Sequence, residues 1–138
     1  MEPFILESND KLPFVSLDPN GDLLLKGCSF PLDATRFYEP ILEWMEEYKK
    51  APSERTVLRI DLSSFNIGSS KYILYMIHRL QDIVREGGDA AIEWVYEKGD
   101  EDMKEVGEDY EIMARIPFVH RIRSPQKDLA VKALASFS

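Results

Sequence analysis

From Asp61 to Lys71 the chain reads Asp61-Leu62-Ser63-Ser64-Phe65-Asn66-Ile67-Gly68-Ser69-Ser70-Lys71. Four hydroxyls, a carboxylate, an amide and an ammonium lie within these eleven residues. A serine hydroxyl can take a phosphoryl group, which adds about −1.5 to −2 charge to a surface. A helix starting near Ser69 would also offer free N–H groups and a partial positive charge to a phosphate or a partner carboxylate. The same serines suit a plainer role, with Ser69 capping the helix and Ser63 and Ser64 filling a turn. Residue types alone leave both readings open.

Other chemistries find less support. His78 and His120 have no Cys, His or carboxylate at metal-ligand spacing, and no metal or other cofactor is expected. No Gly-x-Ser-x-Gly elbow, Walker motif or dinucleotide fingerprint occurs. Nine acidic and two basic side chains (Lys98 and Lys104) lie between Glu93 and Glu111. The run suits a solvated helix face, or a surface that steers a basic partner. Cys28 is the only cysteine, so no intrachain disulfide forms, and its plainest role is that of a small buried hydrophobe.

The elements that must position Asp61–Lys71 are legible from periodicity. Thr56–Leu62 is rich in β-branched and apolar residues and predicts an interior strand. A loop over Ser63–Gly68 then leads into a helix from Ser69 to Arg85, with Ile73, Ile77, Leu80 and Val84 as its apolar stripe and Gly87-Gly88 ending it. Upstream, strands at 13–17 and 22–28 form a hairpin around Asn20-Gly21, with a further short strand at Phe4–Glu7. Asp33 caps a helix reaching Lys50, within which Pro40 either kinks the helix or marks its true start. Downstream come a strand at Ala90–Tyr96, a helix over Asp100–Arg115 and a strand at Phe118–Ile122. Trp44, Tyr38 and Tyr48 fall on or beside the apolar face of the first helix and read as core and boundary residues. The order β-β-α-β-α-β-α-β predicts an α/β fold: a mixed β-sheet with packed helices, its middle strands parallel and joined by right-handed crossovers.

Composition frames this as one domain over 1–123 with a tail at 124–138, in which 128–134 has mild helical character. The chain has 138 residues, an apolar fraction of 44% and a charged fraction of 30%, as in ordinary globular domains. Its net charge of −8 argues against nucleic-acid and anionic-membrane partners. No apolar run approaches the roughly 20 residues of a membrane span, and the N-terminus lacks a basic n-region. A reducing cytoplasm is the expected location.

Three ordered blocks carry a family resemblance. They are Leu25-Lys26-Gly27-Cys28-Ser29-Phe30-Pro31 with Phe37-Tyr38-Glu39-Pro40, then Phe65-Asn66-(x)₂-Ser69-Ser70-Lys71, then Trp94-Val95-Tyr96-Glu97 running on to Gly107-Glu108. A strand ending in Asp-Leu-Ser, followed by Ser-Ser at a helix start, looks like the STAS (anti-sigma factor antagonist) pattern. The whole set, over about residues 12–120, resembles the SiaC family of bacterial regulatory phosphoproteins. The resemblance implies a STAS-like fold and a non-catalytic, biofilm-regulating adaptor in cyclic-di-GMP signalling. Its partners would be a diguanylate cyclase, a Ser/Thr kinase and a PP2C-type phosphatase. The family's acceptor threonine falls at Ile67, which has no hydroxyl. Ser69 is therefore the preferred acceptor and Ser70 the alternative. Asp61, Ser63, Ser64, Asn66, Ile67, Gly68 and Lys71 make up the expected partner-binding loop. A small-molecule binder or enzyme on the same scaffold would instead need a concave pocket near Asp61, Asn66 and Lys71. A homodimer through the first helix is a third arrangement.

Overall fold

A computed structural model describes residues 1–123; residues 124–138, including the helix expected over 128–134, lie outside the described residues. The elements are β1 (Phe4–Leu6), β2 (Phe14–Leu17), β3 (Asp22–Ser29), α1 (Ala34–Tyr48), β4 (Arg55–Phe65), α2 (Ile67–Arg85), β5 (Asp89–Glu97), α3 (Glu101–Ala114) and β6 (Phe118–Arg123). They build the mixed α/β sheet that the alternation of patterns predicts. The six strands lie in sequence order; β1, β2 and β3 pair antiparallel, and β3 to β6 pair parallel.

Sequential order fixes the layers. Each parallel crossover steps the same way along the sheet, and right-handedness then puts α1, α2 and α3 on one face. Strand alternation turns Leu23, Leu25, Leu58, Ile60, Leu62, Ile92 and Trp94 toward those helices, where all are buried. The helices reply with Ile41 and Met45 of α1, Ile73, Met76, Ile77 and Leu80 of α2, and Met103 and Tyr110 of α3. The other face mixes apolar side chains, such as Val57, Ala91 and Val95, with charged ones. Glu93 of β5 pairs there with Arg59 of β4 and Arg121 of β6.

The hairpin between β2 and β3 turns at Asn20-Gly21 as expected. Gly21 adopts φ of 104°, and a Cβ there would lie 2.0 Å from the Arg55 carbonyl oxygen. Glycine is thus required twice over, by conformation and by space. Helix α1 starts at Ala34 behind its Asp33 cap and runs through Pro40, which leaves the Arg36 carbonyl without its usual i+4 donor. Tyr38 and Tyr48 are core residues, while Trp44 is partly buried, stacks on Tyr48 and donates to the Glu2 carbonyl.

Two boundaries depart from expectation, and both concern the site. β4 continues to Phe65 and α2 begins at Ile67, so the loop expected over Ser63–Gly68 contracts to Asn66. The strand persists because β3 runs beside it as far as Ser29, pairing Cys28 with Ser64 and Ser29 with Phe65 across a bulge. Ser63 is the extra residue of that bulge, and its hydroxyl donates to the Gly27 carbonyl at 3.1 Å.

Candidate functional site

The C-terminal edge of the parallel strands gathers the ends of β3 and β4 and the starts of α1 and α2. Ligands and partners of open α/β sheets usually meet this edge. Asn66, in extended conformation, is the N-cap of α2, and its Oδ1 accepts from the Ser69 N–H at 2.9 Å. The capping role expected of Ser69 therefore belongs to Asn66. The Asn66 N–H donates to the Ser29 carbonyl, and its Nδ2 reaches the Pro31 carbonyl at 3.4 Å. These contacts set the first turn of α2 against the segment between β3 and α1.

Below the cap lies a buried chain of hydroxyls. Ser29, Tyr38 and Ser69 are each 0% exposed. Ser29 Oγ lies 2.6 Å from the Tyr38 hydroxyl and 2.9 Å from Ser69 Oγ, which in turn lies 2.8 Å from Asn66 Oδ1. One proton arrangement satisfies every member: Tyr38 donates to Ser29, Ser29 to Ser69, and Ser69 to the cap. Burial pushes the Tyr38 hydroxyl pKa up, outweighing the lowering effect of Ser29 and Ser69, so Tyr38 stays a donor. The Tyr38 ring stacks on Tyr72 at 5.3 Å, and the Tyr72 hydroxyl bonds Thr35. Tyr110 of α3 donates to the Ser70 carbonyl at 2.7 Å, and burial raises its pKa too.

The two candidate acceptors differ in access. Ser69 Oγ is enclosed, and a phosphoryl group there would displace the hydroxyl chain. Ser70 Oγ is near the surface, donating to the Ile67 carbonyl at 2.6 Å. Ile67 occupies the first helical position and is 91% exposed, and Gly68 beside it is exposed too. Lys71 is exposed, its ammonium 5.2 Å from the Tyr72 ring centroid. Ser63 and Ser64 are exposed strand residues, not turn residues.

Asp61 does not join this group. It lies within β4 on the face away from the helices, 8% exposed, and its Oδ1 accepts from Nε (3.1 Å) and Nη2 of Arg123. Asp61 and Lys71 thus sit on different elements facing different ways, and do not converge with Asn66 on a pocket. Sequence reasoning missed Arg123, because nothing local couples two side chains 62 residues apart. It also missed Ser29 and Tyr38 as members of the site, although both fall in the first block of the family resemblance.

Comparison with solved structures follows the fold closely. Apo-SiaC from Pseudomonas aeruginosa matches with a TM-score of 0.81 at 19% identity, over 88% of this chain and 99% of that one. A chain from the crystal structure of the diguanylate cyclase SiaD in complex with its activator SiaC, from the same organism, matches with a TM-score of 0.82 at 19% identity, over 87% and 99%. At these identities the likeness speaks for the fold. An uncharacterized protein of Pseudomonas aeruginosa (strain UCBPP-PA14) is 21% identical over 98 residues, 71% of this chain and 78% of its own length. The profile of the SiaC family regulatory phosphoprotein matches residues 6–122, most of the chain, and the protein belongs to that family.

Proposed function

We propose that this chain is a non-catalytic cytoplasmic adaptor that binds and activates a diguanylate cyclase through the edge where α1 and α2 begin. The observation that carries this reading is the division of that edge. Its interior polar groups are spent on one another, while Ile67, at the first position of α2, presents bare apolar surface. Such a surface suits protein contact better than chemistry. Family membership, and the pairing of SiaC with the cyclase SiaD in Pseudomonas aeruginosa, support the choice of partner. Among the described residues no helix is long and apolar enough to cross a membrane.

Control by a Ser/Thr kinase and a PP2C-type phosphatase fits Ser70 better than Ser69. A phosphate at Ser70 would stand one turn into α2, beside Ile67, and would put about two negative charges in the docking surface. Ile67 itself, at the family's threonine position, cannot take that role.

The test is cyclic-di-GMP synthesis by the purified diguanylate cyclase of the source organism. The chain alone should show no turnover, and its addition should raise the cyclase rate; Ser70→Asp should blunt the rise. An unchanged rate at saturating chain would sink the adaptor reading. Full activation by Ser70→Asp would remove phosphate control at Ser70 while leaving a constitutive adaptor.

A further inference from the structure

The edge strand β6 keeps a strip of helix-side surface that α3 does not cover. Its register with β5 sets Phe118, His120 and Ile122 beside Ile92, Trp94 and Tyr96, on the face that carries the helices. Gly107 packs against Trp94, which seats α3 over β5 and leaves β6 at its margin. Ile122 is 52% exposed although it faces the helix layer, and Phe118 is only partly buried. His120 Nε2 lies 2.9 Å from Glu111 Oε1, which identifies the side of α3 that borders the strip. Glu108 and Lys104, one and two turns back, share that side by helical spacing. The helix as a whole carries six acidic residues and one basic. The strip is therefore apolar along β6 and walled by an acidic helix.

The chain continues from Arg123, at the end of β6, into residues 124–138. The family match ends at residue 122, so this segment lies beyond the shared domain. Leu129, Ala133 and Phe137 recur at spacings of four, with Ala130 and Leu134 beside them, an apolar stripe at helical period. Lys127 and Lys132 outnumber Asp128, so the segment is basic where α3 is acidic. Residues 124–127 give a strand-to-helix connection of ordinary length. As a helix, the stripe from Leu129 to Phe137 measures about 12 Å, against about 13 Å of strand from Phe118 to Ile122.

We infer that residues 128–137 form a fourth helix, seated on the β6 strip alongside α3. β3, β4 and β5 each hand the chain to a helix on this face, and the same turn after β6 brings the segment over the strip. Leu129, Ala133 and Phe137 then cover Phe118 and Ile122. A helix laid parallel to α3 carries Lys132 on the side that faces Glu108 and Glu111. The chain's own segment is favoured over a second molecule by attachment, which supplies it at about millimolar effective concentration. The inference is independent of the adaptor reading, since neither strip nor segment contains a residue of the proposed docking edge.

The test uses full-length protein with a nitroxide at Ala135→Cys in a Cys28→Ser background, and isoleucine methyls followed by NMR. The Ile122 methyl signal should broaden, while that of Ile5, on β1 at the opposite edge of the sheet, should keep its intensity. In a mixture where the nitroxide and the methyl label sit on different chains, Ile122 should stay sharp. Broadening in the mixture would overturn the inference in favour of a second copy. Amides of 128–137 should also exchange at least about tenfold more slowly than in the same segment as a free peptide. Leu129→Asp/Phe137→Asp should abolish both the broadening and the slow exchange, with the Ile5 and Ile67 methyl shifts unchanged as proof that the domain stays folded. A sharp Ile122 signal, exchange at the free-peptide rate, or slow exchange that survives the double variant would each overturn it.

Discussion

The hydroxyl of Ser69 has three oxygens within reach and one proton to give. It touches Ser29 Oγ, the Ser29 carbonyl and Asn66 Oδ1, all away from solvent. Ser69→Ala leaves the Ser29 hydroxyl without an acceptor and weakens the cap. Urea denaturation should show a loss of about 1–3 kcal/mol, the usual cost of stranding a buried polar group. Ser70→Ala should fall within about 0.5 kcal/mol of wild type, because its hydroxyl has water to fall back on. A result in the opposite order would mean that the buried chain is not the support of this turn. Asn66→Ala removes the capping oxygen itself and should cost about 1 kcal/mol. Neighbouring serines thus have opposite roles, one enclosed and one presented. Their types could not have told them apart, since serine serves equally well in a cap, a turn, a strand bulge or a buried network.

Among elements, α3 depends most on a single small residue. Gly107 lies against Trp94 of β5, and a Cβ there would come within 2.5 Å of the indole Cδ1. The same indole donates to the Met103 carbonyl at 2.9 Å, so the tryptophan has little freedom to retreat. Gly107→Val should destabilise by about 1–3 kcal/mol and change the tryptophan fluorescence of the folded state. Unchanged fluorescence and stability would mean that α3 shifts at no cost. None of this is visible in the helical period, where Gly107 reads only as a weak helix former. What the sequence carried well was the strongest hydrophobic periods. The strand around Val57–Ile60 and the α2 stripe of Ile73, Ile77 and Leu80 stand where periodicity put them, with Val84 partly buried, and Asp33 caps α1 as expected. The period is silent at the junction of β4 and α2. There Ser-Ser-Phe-Asn looks like a turn, and only the neighbouring strand β3, whose pairing is not local, holds it extended. Family resemblance pointed to one segment, and the fold divides it, sending Asp61 to the far face, Ser69 inward and Ile67 outward.

At the scale of the whole molecule, α1 and α2 are joined by an ion-pair network. Lys49 bonds Asp82 at 2.9 Å and Glu46 at 3.0 Å, and Arg79 meets Glu46 at 2.8 Å. The Lys49 ammonium holds the Asp82 carboxyl below its ordinary value, while the hydrogen bonds it donates to Asp82 and then to Glu46 hold Lys49 above its own. The Asp82 contribution is complete above the unfolded carboxyl value of about 3.9 and is lost as pH falls through the depressed folded one. The Lys49 contribution is complete below about 10.4 and is lost as pH rises through the raised folded value. Both side chains are partly exposed, so Asp82→Asn should cost only about 0.5 kcal/mol at neutral pH. That gap between wild type and variant should close in acid below about pH 3.9 and in base above about pH 10.4. A gap constant across the range would mean that the pair adds nothing to stability.

The sequential strand order has a kinetic consequence. Each strand pairs with the one synthesised just before it, so every pairing closes a loop no longer than one turn or one helix. The parallel pairings still span a whole helix, as from Leu25 to Ile60 and from Ile92 to Phe118, but none waits for a strand further along the chain. On the ribosome β1–β3 can pair before β4 exists, and each later helix–strand unit can add to a finished edge. The chain can therefore assemble in the order in which it is made, with β6, the last edge to form, the only one still waiting when residue 123 emerges.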